Sequence, residues 1–384
     1  MQNFTFHNPV KILFGQGQIR ALATEIPPAA RILLTYGGGS IRSNGVYDQI
    51  QQALKGRVLF EFGGIEPNPT LETLNRAVAL ARAEGIDFLL AVGGGSVLDG
   101  TKFIAAAIPF AGDSWQIVAS HAPVTQAIPM GTVLTLPATG SEMNGTAVIT
   151  RGATREKLYF SSPLVMPRFS ILDPETTFSL SERQVGNGVA DAFTHVVEQY
   201  LTYPVNAPLQ DRMAEAILLT LIEEGPKTLA QPEDYDARAN LMWCATLALN
   251  GLIGAGVPQD WTTHAIGHEL TALHGIDHGR TLAIVLPAVL QHQRKRKRAK
   301  LLQYAERIWG LRAGDEESRI DGAIEKTRAF FESVGVPTRL ADYSVSAETI
   351  PVVVERLAGR GPVALGEHQD IDAAAVGRIL ALSL

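Results

Sequence analysis

A chain of 384 residues exceeds the length over which one hydrophobic core keeps growing, so two domains are expected, and a hydrophobic share of 46% supplies a core to each. A charged share of 19% and a net charge of -6 exclude a disordered chain and offer no field that would gather a polyanion. The single cysteine, Cys244, excludes an internal disulfide and, inside the apolar run Leu241 to Leu249, reads as a packing residue.

The opening MQNFTFHNPV has no basic stretch followed by an apolar one, and no uninterrupted apolar run is long enough to span a bilayer. A cytoplasmic protein without a membrane partner is therefore expected. To about Asp173, short apolar runs alternate with helical patterns between glycine and proline punctuation. Strands are expected at Ile32 to Tyr36, Val58 to Phe62, Phe88 to Val92 and Met130 to Leu136, which suggests a doubly wound α/β sheet. After Leu180 the strand signals fade. Amphipathic stretches at Glu182 to Leu201, Pro208 to Glu223, Ala237 to Leu249 and Gln259 to Leu273 predict a nearly all-helical second half. The linker LDPETTFSLSERQ, ending in a helix cap at Ser181, sets the expected domains at 1–178 and 179–384.

Two copies of one tetrapeptide follow strand-like runs: Gly37-Gly38-Gly39-Ser40 after ILLTY and Gly93-Gly94-Gly95-Ser96 after FLLAV, each expected to lead into a helix. Successive glycines can aim backbone N–H groups outward at a helix N-terminus, where the unsatisfied donors and the dipole favour a phosphate. The bland reading is two tight strand-to-helix turns; the second copy, with its apolar strand and strong helix, is the better pyrophosphate cradle. NAD-specific sites usually place a carboxylate near the adenosine ribose. Here the strand end offers Tyr36, three glycines and Ser40, with Arg42 nearby, which favours NADP.

In the helical half, Asp191 and His195 share a helix face at i, i+4 in GVADAFTHVVEQY. His264 and His268 repeat that spacing, and His278 follows just beyond the expected helix end. Of nine histidines, five fall between His195 and His278. Each alone reads as a satisfied core residue; together, three imidazoles and a carboxylate make an N/O site suited to Fe(II) or Zn(II).

With those residues in view, the chain resembles the iron-containing alcohol dehydrogenases, and among them the NADP-dependent, butanol-dehydrogenase-like aldehyde reductases. The likeness runs through FHNPVKILFGQG, EFGGIEPNPT, AVGGGSVLDGTKF, LPATGSE, ILDP, GVADAFTHVVEQY, LNGLIGAGVPQDW and HAIGHELTALHGIDHG. The resemblance implies a dinucleotide-binding α/β domain followed by a helical metal domain, with the active site in the cleft between them. It implies Asp191, His195, His264 and His278 as metal ligands, with His268 unliganded near substrate and nicotinamide. It implies Gly94, Gly95, Ser96 and Asp99 at the pyrophosphate and nearby ribose, Thr135, Thr139 and Ser141 along the nicotinamide side, and Lys157 at a ribose. It also implies that FTFHNPVKILFG is a strand exchanged across a homodimer. The function implied is NADPH-dependent, metal-assisted reduction of aldehydes to primary alcohols. A metal-dependent hydrolase or lyase of similar build is the alternative, opposed by the paired glycine turns. The basic run from Arg294 to Lys300 raises a nucleic-acid reading, which the acidic balance of the chain opposes.

Overall fold

A computed structural model describes all 384 residues. Residues His7–Leu180 and Pro232–Thr246 make one compact unit, and Met1–Phe6, Ser181–Gln231 and Leu247–Leu384 make the other. A division at 178/179 by chain order would assign 1–6 and 232–246 to the opposite units. The reason lies in their partners: Trp243 meets Phe14 edge to face with ring centroids 6.0 Å apart, and Gln2 N donates to Gly256 O at 2.9 Å.

The first unit contains β1 (Lys11–Phe14), α1 (Leu22–Glu25), β2 (Arg31–Tyr36), α2 (Val46–Ala53), β3 (Val58–Phe62), α3 (Leu71–Ala83), β4 (Phe88–Gly94), α4 (Gly95–Ala107), α5 (Gln116–Ala119) and β5 (Met130–Leu136). A hairpin of β6 (Thr146–Arg151) and β7 (Glu156–Ser161) precedes β8 (Phe169–Leu172). Six strands form a parallel sheet in the order β1-β8-β5-β4-β2-β3. Parallel pairing needs crossovers that bury both faces, which explains why FLLAV in β4 is apolar without alternation. Its side chains still divide: Leu89 and Ala91 join the core with Phe103 and Ile104, while Phe88, Leu90 and Val92 join the opposite core with Ile32 and Val133. The four expected strands all form; of the expected exchanged strand FTFHNPVKILFG only Lys11–Phe14 is a strand, β1, and it pairs with β8 of its own chain, while β6, β7 and β8 were not anticipated.

The other unit is helical, with α6 (Glu182–Tyr200), α7 (Pro208–Ala230), α9 (Thr262–His274), α10 (His278–His292), α11 (Arg298–Arg307), α12 (Glu316–Ser333), α13 (Thr349–Ala358) and α14 (Ala373–Ala381); α8 (Tyr235–Ala248) precedes α9 and belongs mostly to the sheet unit. The cap expected at Ser181 is a full capping box: its hydroxyl accepts from Gln184 N at 3.3 Å while Gln184 Oε1 accepts from Ser181 N at 3.1 Å. Helix α6 packs against α7 and α10, and α10 against α9, so α6, α9 and α10 surround one interior. No helix is long and apolar enough to cross a membrane.

Five of the six basic residues of this run form ion pairs inside this unit, and Lys295 is exposed. Arg294 pairs with Glu317 and Asp321, Arg296 with Asp370, Arg298 with Glu316 and Glu317, and Lys300 with Asp211. Lys297 is buried between Asp260 and Glu367, at 2.9 and 2.7 Å.

Candidate active site

Helix α6 places Asp191, His195 and Glu198 on one buried face at i, i+4 and i+7. Helix α9 brings His264, with His268 one turn further on, and His278 is the first residue of α10 rather than lying in a loop. Asp191 Oδ1 lies 3.4 Å from His195 Nδ1, 3.8 Å from His264 Nε2 and 3.9 Å from His278 Nε2. The Nε2 atoms of His195 and His264 are 3.0 Å apart. Four donors bound tetrahedrally at about 2.1 Å stand roughly 3.4 Å from one another, so this spacing fits a single divalent ion. One donor atom each from Asp191, His195 and His264 falls within a 4.8 Å group. His278 stands at its margin, with its ring centroid 5.2 Å from that of His264.

The electrostatics agree with that fit. Burial pulls the His195 imidazole down to about 4, despite Asp191, and the neighbouring His264 adds to the fall. Burial also acts to lower His264, but Glu198 and Asp191 outweigh it and lift the imidazole to about 9. Positive charge is thus favoured between the two carboxylates, while His195 stays neutral with a buried Nδ1 that has no hydrogen-bond partner. Trp261 walls the cluster, edge-on to His195 and His264 at 6.2 and 5.4 Å between centroids. His268 stands beside the cluster, its ring 5.1 Å from His278 and 6.2 Å from His264.

In the sheet unit, β4 ends at Gly94 and α4 begins at Gly95, and the first-turn amides of α4 have no partner within the helix. These glycines are needed for close approach: a Cβ on Gly94 would meet the Leu136 side chain at 2.9 Å, and one on Gly95 would meet Thr139 at 2.5 Å. Thr139 therefore stands against the turn, Thr135 lies near the end of the neighbouring strand β5, and Ser96 accepts from Asn68 N at 3.3 Å. Ser141 donates to Asp99 Oδ1 at 2.6 Å and accepts from Lys102 at 2.8 Å, and Asp99 Oδ2 accepts from Val148 N at 2.9 Å. The buried Lys102 ammonium also donates to Asn144 Oδ1 and Thr146 O, both at 2.9 Å. Burial draws it down to about 8, with Asp99 and Glu142 opposing. Lys157, on β7, is buried and acts electrostatically on Asp99.

The first tetrapeptide differs from expectation, because Ser40 opens only a short turn and helix α2 begins at Val46. Strand β2 ends at Tyr36, Gly39 adopts φ 100° just before the short turn, and a side chain at Gly38 would meet nothing within 4 Å. Arg42 donates to Tyr36 Oη at 2.9 Å, pairs with Glu61 and lies 4.2 Å from the Tyr47 ring centre. An acid therefore does stand near this turn, contributed by β3 rather than by the strand end.

Sequence reasoning missed Glu198, Lys102 and Glu61. Only Glu198 left a signal, as the third polar residue on the face of α6 that carries Asp191 and His195.

Two family models match the chain: the iron-containing alcohol dehydrogenase model over residues 9–174, and the C-terminal model of the Fe-containing alcohol dehydrogenase family over 186–382. The chain belongs to the iron-containing alcohol dehydrogenase family. It is 59% identical over 374 residues to the NADPH-dependent aldehyde reductase YqhD of Escherichia coli, covering 97% of each chain. A probable NADH-dependent butanol dehydrogenase 1 of Bacillus subtilis is 43% identical over the full length of both. A crystal structure of Escherichia coli YqhD superposes with a TM-score of 0.99 at 57% identity, covering 100% of this chain and 99% of that one.

Proposed function

We propose that this protein is an NADPH-dependent aldehyde reductase that converts aldehydes reversibly to primary alcohols with the help of one divalent ion, Fe(II) or Zn(II). The observation that carries the reading is the convergence of Asp191, His195 and His264 on one buried point, with His278 at its edge, in a member of this family. When bound, the ion supplies Lewis-acid polarisation of the carbonyl and the cofactor supplies the hydride.

The chain's own residues do the remainder. Asp191, His195, His264 and His278 hold the ion, and Trp261 keeps water from their buried side. His268, beside the ligands, delivers the proton that the nascent alkoxide requires. The amides of Gly94, Gly95 and Ser96 bind the pyrophosphate, and Asp99, held by Ser141 and Val148, fixes the turn beside the ribose. Thr135, Thr139 and Ser141 line the nicotinamide side, and Lys157 serves a ribose. At Gly37, Gly38, Gly39 and Ser40 the open space and the nearby Arg42 suit a 2'-phosphate. Loss of NADPH absorbance with a panel of short aldehydes, compared with NADH, tests the reading; no oxidation with any aldehyde, or a preference for NADH, would refute it.

We further place the enzyme in the cytoplasm, where reduced nicotinamide cofactor is supplied, and read it as a homodimer joined through its N-terminal segment. Residues 1–10 form no strand within the chain, and Phe4 and Phe6 are 51% and 43% exposed. Sedimentation should show a dimer that Phe4→Ser with Phe6→Ser weakens; a wild-type monomer would refute the assembly.

A further inference from the structure

We propose that Glu198 is the positioning residue of the metal centre: its carboxylate holds the Nδ1 hydrogen of His264 and thereby leaves Nε2 as the donor for the ion. The inference deepens the reading of His264 as a ligand and rests on it.

A neutral imidazole carries one N–H, and the partner of one ring nitrogen decides what the other can do. Glu198 is buried on α6 and contacts His264 Nδ1 through Oε2. With Oε1 accepting from the Thr263 amide, Oε2 is the acceptor turned to Nδ1, which is thereby committed to Glu198 as an N–H donor. Nε2 is then the nitrogen left for a cation, a proton in the metal-free chain and the ion when it is bound, and it faces His195 Nε2 at 3.0 Å and the Asp191 carboxylate at 3.8 Å. Acceptors that converge in this way repel one another until a cation joins them.

Glu198 is itself held rigidly. Its Oε1 accepts from Thr263 N at 2.7 Å, an amide in the first turn of α9, where Trp261 supplies no side-chain cap. Its backbone oxygen accepts from Asp260 N at 2.8 Å, and Asp260 is anchored by Lys297, which also donates to Leu201 O at 2.6 Å. Glu198 makes no salt bridge to lysine or arginine; its ionic partner is His264. One carboxylate thus caps the helix that carries His264 and orients the ring.

E198Q is nearly isosteric but has only one acceptor oxygen. The amide group must face either Thr263 N–H or His264 Nδ1, and in the second case the imidazole proton moves to Nε2, where the ion binds. Zinc titration against a chromophoric chelator should show E198Q binding about 10- to 100-fold more weakly than wild type. E198D, which keeps two acceptors, should fall between them, and NADPH affinity by fluorescence should change less than about 2-fold. A purely structural role would lower the melting temperature without this ranking. Zinc binding by E198Q within about 2-fold of wild type overturns the assignment alone. A wild type that takes up no zinc overturns the metal reading and the assignment with it. If E198Q does not fold, 15N NMR of histidine-labelled, zinc-loaded wild type decides: zinc on Nε2 and a proton on Nδ1 of His264 are expected, and zinc on Nδ1 overturns the proposal.

Discussion

In the proposed scheme two positions decide much of the chemistry: His268, which touches no ion, and Gly38, which has no side chain to offer. His268→Ala should keep its metal and its NADPH affinity while turnover drops, by about 10²-fold or more if proton delivery limits the rate. Kinetics unchanged across pH would remove the proton-transfer role. Gly38→Asp is sterically permitted, since nothing lies within 4 Å of the added Cβ. The new carboxylate should repel a 2'-phosphate and shift the ratio of NADPH to NADH specificity toward NADH by about 10-fold or more, the equivalent of about 1.4 kcal/mol. An unchanged ratio would mean that the first glycine turn does not read the adenosine ribose. Glu61 complicates the simpler argument from sequence, since it binds Arg42 and accepts from Tyr47 at 2.5 Å beside that turn.

At the scale of elements, the proposed ligands are as precise as the helices that carry them. Gly279 follows His278 in the first turn of α10, and a Cβ there would meet Asn187 O of α6 at 2.3 Å. Gly279→Ala should push α10 from α6, cost about 1–3 kcal/mol in stability and weaken zinc binding as well. A variant with the melting temperature and zinc affinity of wild type would show that this close approach does not set the site. The long periodic elements were legible because burial repeats through them: FLLAV announced β4, and the faces of α6 and α9 announced Asp191, His195, His264 and His268. What escaped was short or non-local. β1 and β8 have four residues each, too few for a period to register. The strands β6 and β7 carry charged and polar residues that masked their alternation. Lys102 reads as a surface lysine in any helix, and only the fold shows its ammonium enclosed by Ser141, Asn144 and Thr146. Spacing placed Glu198 on the face of Asp191 but could not reveal a partner on α9.

At the scale of the whole molecule, the sheet unit contains both glycine turns and the helical unit contains the Asp191, His195 and His264 cluster proposed to hold the ion. The acidic residues that pair with Arg294, Arg296, Lys297, Arg298 and Lys300 lie at 211, 260, 316–317, 321, 367 and 370, far enough along the chain that the basic run looked free in the sequence. The claim on which all of this depends is that reduction by NADPH requires the ion. The direct measurement is NADPH oxidation with butanal by protein stripped with a chelator, its metal content determined, before and after Fe(II) or Zn(II) is restored. Activity should vanish with the metal and return as about one ion per chain is taken up. Metal-free protein that reduces the aldehyde at the full rate would contradict the account.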